Sequence, residues 1–186
     1  MKKLAVFFPG IGYTVDKPLM HYSRRLAANA GFEILLLPYS GFPQKVKGDR
    51  SKMAESCRIA LKQSEEMLAG TDFRAYDDIL LIGKSIGTVA AAETAAQSAG
   101  AARIHLLFYT PLEETFACPL RDAVVFTGSA DPWVEKGRIA ELCRQRDIPC
   151  HVISDANHSL ETGDVQKDIE NLREIMKKTE KYIRKI

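Results

Sequence analysis

Ile79-Leu80-Leu81-Ile82-Gly83-Lys84-Ser85-Ile86-Gly87-Thr88 is the stretch on which the fold turns. Four consecutive aliphatic residues without polar alternation read as a strand covered on both faces. From Ile86 the chain becomes rich in alanine, with Ala90, Ala91, Ala92, Ala95 and Ala96, which suits a helix lying close to a sheet. The join is a G-x-S-x-G pattern. A strand that passes directly into a helix needs a very sharp turn, and the glycines on either side of Ser85 leave room for the close approach. Such a turn holds the serine in a strained conformation with its hydroxyl projecting above the sheet.

The same alternation extends outward in both directions. Leu4–Phe8, Ile34–Pro38, Ile104–Tyr109, Val124–Thr127 and His151–Ser154 are the other strand candidates. One helix is expected after Asp16 as N-cap, with Pro18 in its first turn, Leu19, Tyr22 and Leu26 on one face, and Gly31 as its stop. Others are expected over Ser51–Leu68, Ile86–Ala99, Glu135–Arg146 and from Val165 toward Ile186, the last with an apolar stripe of Ile169, Leu172, Met176 and Ile183. Six strands joined by five crossovers, four of them helical, predict one α/β domain over residues 1–186. Its sheet is doubly wound and mostly parallel, with helices on both faces. Ligand sites in such sheets form beyond the carboxyl ends of the strands.

Composition narrows the function classes. The 186 residues are 46% hydrophobic and 27% charged, with a formal net charge of +2. Basic residues are scattered, without aromatic interleaving, so no nucleic-acid partner is expected. The apolar run after Met1-Lys2-Lys3 lasts five residues before Pro9-Gly10, too short for a signal-peptide core, and no stretch approaches a membrane span. Cys57, Cys118, Cys143 and Cys150 show no metal-binding spacing and read as reduced thiols of a cytoplasmic protein. No metal or cofactor is expected.

Three post-strand segments carry the chemistry: Gly83-Lys84-Ser85-Ile86-Gly87, Gly128-Ser129-Ala130-Asp131-Pro132 and Ala156-Asn157-His158-Ser159-Leu160. The first is not a phosphate loop, since no glycine lies five residues before Gly83. Together they resemble the α/β-hydrolase superfamily over essentially the whole chain, in its order of nucleophile, acid and histidine. The resemblance implies Ser85 as nucleophile, Asp131 as orienting acid and His158 as general base. Glu113 or Glu114 is an alternative acid, because some members carry it one strand earlier. Asp155 is too close in sequence to His158 to orient it, and His21, His105 and His151 lie within predicted helix or strand rather than on a post-strand loop.

The resemblance also implies two backbone donors for a carbonyl oxyanion. One is Ile86, after the nucleophile. The other comes from Pro9-Gly10-Ile11-Gly12-Tyr13, which is similar to the family's His-Gly-x-Gly stretch with proline in place of histidine. Ile11 matches best, with Gly12 or Tyr13 as alternatives. Gly10, Gly12, Tyr13 and Trp133 could line a pocket, as could Tyr39 and Phe42. Lys84 is expected to be solvated. The chain begins with what resembles the family's third strand, and Pro111–Arg121 is too short for a helical lid. The implied function is a lidless esterase-type serine hydrolase acting on small or flexible esters or thioesters. The alternatives are a peptidase of the same fold or a catalytically silent binding protein.

Overall fold

The computed structural model describes residues 1–98, 100 and 103–186. Its strands are β1 (Lys3–Phe8), β2 (Phe32–Leu36), β3 (Asp78–Lys84), β4 (Arg103–Tyr109), β5 (Ala123–Gly128) and β6 (Cys150–Ile153). They form one sheet in the order β2-β1-β3-β4-β5-β6, and every pairing is parallel. The helices are α1 (Pro18–Asn29), α2 (Arg50–Leu68), α3 (Ile86–Gln97), α4 (Arg138–Arg144) and α5 (Val165–Ile183). The β4–β5 crossover carries only a short 3-10 turn, Glu113–Ala117, as expected of a chain without a helical lid there.

Residue alternation along the strands divides the core in two. Leu4, Val6, Phe8, Leu81 and Phe108 face α2, α3 and α4, whereas Phe7, Leu80, Ile82, Tyr109 and Phe126 face α1 and α5. Strands covered on both faces must be apolar at every position, which is why they read as unbroken hydrophobic runs. The winding direction reverses between β1 and β3. Phe8 is in register with Gly83, and Lys84 with Tyr109, so the loops that follow these three strands leave the sheet side by side. That switch point is where a doubly wound sheet opens a crevice.

Several expected boundaries and faces are corrected. β2 begins two residues earlier than Ile34 and ends before Leu37. Asp16 does not cap α1. Lys17 holds the cap position without a side-chain bond, and Asp16 pairs with Arg24 at 3.6 Å. Tyr22 is 45% exposed, because the buried face of α1 is Leu19, Met20, Ser23 and Ala27. Ile169 is also exposed, whereas Leu172, Met176 and Ile183 of the expected α5 stripe do pack on the core, joined there by Ile175 and Thr179. Both helices combine small or polar residues with aliphatics on the inward face, which hydrophobicity alone does not reveal. Asp49 caps α2 by accepting a hydrogen bond from the Lys52 N–H. α4 is shorter than Glu135–Arg146 because it starts after Gly137, at φ +79°. The expected end of α3 at Ala99 lies outside the described residues. No helix among the described residues is long and apolar enough to cross a membrane.

Candidate active site

Ser85 occupies the turn between β3 and α3 at φ +55°, ψ −125°. A non-glycine residue there costs roughly 1–3 kcal/mol and persists only when its surroundings impose it. They do so here. The Ser85 N–H donates to Tyr109 O at 3.1 Å, and Thr88 donates to Ser85 O through both its N–H (2.9 Å) and its hydroxyl (2.6 Å). A Cβ at Gly83 would sit 2.7 Å from Thr88 Cα, and one at Gly87 would overlap the carbonyl oxygens of Phe8 and Pro9. Both glycines are therefore required by close backbone approach, not by an unusual φ.

The other two segments converge on this serine. Ser85 Oγ and His158 Nε2 are 2.7 Å apart, and His158 Nδ1 and Asp131 Oδ2 are also 2.7 Å apart. The second Asp131 oxygen accepts the Trp133 N–H at 2.9 Å, so both carboxylate oxygens are occupied and the rotamer is pinned. Asp131 is buried, and the His158 side chain is 15% exposed. The acid and histidine loops are laced together: Ala130 N–H donates to Ala156 O, and Ser129 N–H to Ile153 O. Gly128 permits this, since a Cβ there would strike Ala156 O. Burial holds His158 below the ordinary imidazole range. The Asp131 hydrogen bond opposes that shift, and the positive charge of Lys84 adds to it.

Solved structures of similar shape carry the same architecture. An alpha-beta serine hydrolase homologue from Coxiella burnetii superposes with a TM-score of 0.64 at 18% identity, covering 95% of this chain and 84% of that one. An α/β serine hydrolase without lid from Xanthomonas campestris gives 0.60 at 12% identity, covering 98% and 81%. The Pyrococcus furiosus esterase Pf2001 gives 0.58 at 16% identity, covering 95% and 82%. This chain has the α/β-hydrolase fold. By sequence it matches no protein-family model, and no curated protein is significantly similar to it.

Within this α/β-hydrolase fold, Lys84 departs from expectation. It is buried, at 1% exposure, rather than solvated. Its Nζ donates to Thr110 Oγ1 at 2.6 Å and to His158 O at 2.8 Å, and lies 4.9 Å from the centroid of the Tyr13 ring. Position in the sheet accounts for this: β3 is central and buried at every position, including Lys84.

The alternative acids and histidines do not join this contact chain. Glu113 pairs with Arg138 at 2.8 Å, Glu114 makes no hydrogen bond to His158, and Asp155 pairs with Lys167 at 3.2 Å. His105 sits at the opposite end of the sheet, between Asp78 (3.1 Å) and Asp122 (2.5 Å). His21 contacts Arg24 on α1, and His151 packs against Phe126. The Cys57 thiol is pushed up to about 11, mainly by burial, and is therefore no competing nucleophile.

Of the expected pocket residues, Trp133 stacks on His158, with ring centroids 5.1 Å apart. Trp133 also lines a cleft of about 760 Å³, together with apolar Val46, Met53 and Leu112 and charged Arg50, Glu113 and Glu114. Tyr13 does not line this cleft. It is buried, and its hydroxyl accepts the Leu19 N–H. Tyr39 bonds Ser64 of α2 at 2.5 Å, with Phe42 edge-on against it. Gly10 lies against Ser85, with Ser85 Cβ 3.1 Å from where its own Cβ would be. Gly10 N–H donates to Tyr13 O, closing a turn with Ile11 and exposed Gly12 at its tip. Among the described residues the N–H groups of Ile11, Gly12 and Ile86 make no intramolecular hydrogen bond.

Proposed function

We propose that this protein is a serine hydrolase of the esterase type, acting on small or flexible esters or thioesters through a covalent acyl-enzyme. The observation that carries this reading is the unbroken contact chain Ser85–His158–Asp131, at 2.7 Å and 2.7 Å, on a serine held at φ +55°. Asp131 accepts a hydrogen bond from the Nδ1–H, which leaves the Nε2 lone pair facing the serine hydroxyl. As Ser85 Oγ bonds to the substrate carbonyl carbon, its proton passes to Nε2 and then to the departing alkoxide or thiolate. Water repeats the sequence, returning the serine and releasing the acid. The N–H groups of Ile86 and Ile11 supply the donors for the transient oxyanion, with Gly12 adjacent. The cleft walled by Trp133 takes the substrate's apolar portion.

A fluorophosphonate probe tests the assignment. Stoichiometric phosphonylation at Ser85, located by mass spectrometry, is the expected result. Folded protein that takes no label is instead a silent binding protein, and a label elsewhere removes Ser85 from the role. If aminoacyl amides are turned over in preference to esters, the peptidase reading replaces the esterase one.

The pH dependence follows from His158. The neutral imidazole is the base, and burial favours the neutral form, so the base persists to lower pH than a free imidazole would. kcat/KM is expected to stay level through neutral pH and to fall only below about 6.5, the ordinary imidazole value. An acid limb centred above that value on folded enzyme would show that burial does not dominate.

A further inference from the structure

Lys84 is a buried cation whose ammonium donates to no carboxylate. Its three N–H bonds meet two neutral oxygens, Thr110 Oγ1 and His158 O, and the face of the Tyr13 ring. An ammonium removed from water without an ion-pair partner is a net cost to folding. A lysine placed for stability alone would reach solvent or a carboxylate, and this one does neither. Its contacts are with the histidine loop and its supports. Thr110, at the end of β4, also donates to His158 O at 3.0 Å, so two donors converge on the backbone of the candidate base.

Charge counting gives the ammonium a second effect. The charged and titratable groups facing it are Asp131 after β5, His158 and Glu161 after β6, and Tyr13 after β1. The Tyr13 phenol is pushed up to about 12 by burial and stays neutral. With Lys84 charged and the imidazole neutral, the ammonium offsets Asp131. A proton on His158 would then add a second cation to an enclosed site. Without Lys84, protonated His158 becomes the counter-ion of Asp131, and the proton is held more tightly.

We propose that Lys84 is a positioning residue for His158: its side chain clamps the histidine loop to the ends of β3 and β4, and the charge it carries over the acid range opposes protonation of the imidazole. Burial pushes the ammonium down to about 7, against the attraction of Asp131 and Glu161, so the clamp is charged across the acid range in which His158 titrates. The catalytic consequence rests on the serine hydrolase reading. The effect on the His158 proton does not.

The test is Lys84→Met, which fills the same slot without charge. Three changes are expected. The NMR titration midpoint of the His158 ring moves upward. The melting temperature rises, because an unpaired buried charge is gone. kcat falls by about 10- to 100-fold with KM little changed, as a displaced base would give. A midpoint that is unmoved or lower overturns the proposal, as does a lowered melting temperature with unchanged kcat. Thr110→Val serves if that variant does not fold. It keeps the lysine but removes one donor to His158 O and one acceptor of the ammonium, so kcat should fall while the His158 midpoint moves less than in Lys84→Met. Wild-type kcat in Thr110→Val overturns the clamp. The ring titration needs no turnover. Absent Ser85 labelling with a shifted midpoint therefore refutes the hydrolase reading alone.

Discussion

Ser85→Ala is expected to lower kcat by about 10⁶-fold, to the level that oxyanion donors and substrate binding sustain alone. The serine hydroxyl makes one side-chain hydrogen bond, to His158 Nε2, while the bonds that impose its strained turn use backbone groups. Alanine keeps those backbone bonds and the Cβ, so the turn survives and the fold with it. The comparison is kcat on any accepted ester alongside thermal melts of both proteins. A variant that retains even one per cent of wild-type turnover with an unchanged melt would mean that another residue carries the acyl group, or that water attacks the substrate carbonyl directly.

Asp131→Asn is expected to cost about 10⁴-fold in turnover. The reason lies in which atom faces which. Asp131 Oδ1 accepts the Trp133 N–H and Oδ2 faces His158 Nδ1. In asparagine the amide oxygen must keep the Trp133 bond, which turns the NH₂ group toward Nδ1. An N–H donor there forces Nδ1 to accept, so the imidazole proton moves to Nε2. That nitrogen then donates toward Ser85 and cannot take its proton. The amide also cannot stabilise the imidazolium that forms during attack. Glu113→Gln and Glu114→Gln should stay near wild type, since neither contacts His158. A reversed pattern, with Asp131→Asn active and either glutamine variant dead, would place the acid one strand earlier.

Much of this candidate site is legible in the sequence. Gly83-x-Ser85-x-Gly87 between an aliphatic run and an alanine-rich run has few structural solutions, because a strand passing straight into a helix needs that turn. Asp131 and His158 were readable for the same reason: each follows a buried apolar strand, and carboxyl ends of parallel strands share one rim. The faces of α1 and α5 were less legible. Their buried positions include Ser23 and Thr179, which bond Tyr109 at 2.8 and 2.7 Å from two neighbouring helices. A hydrophobic stripe cannot anticipate a buried hydroxyl cluster.

By itself the sequence determined the order of elements, the parallel sheet and the three post-strand segments that bear the candidate triad, since strand burial and turn geometry are written in local residue types. Tertiary structure alone decided which carboxylate meets His158, because Asp131, Glu113 and Glu114 are equivalent in chemistry and differ only in where their loops end. It also decided the environment of Lys84. A lysine next to Ser85 reads as solvated from its type. It is buried because β3 is central in the sheet, and the Thr110 hydroxyl, the Tyr13 ring and the His158 carbonyl all reach it from distant parts of the chain. Burial of a charge depends on neighbours that only folding assembles.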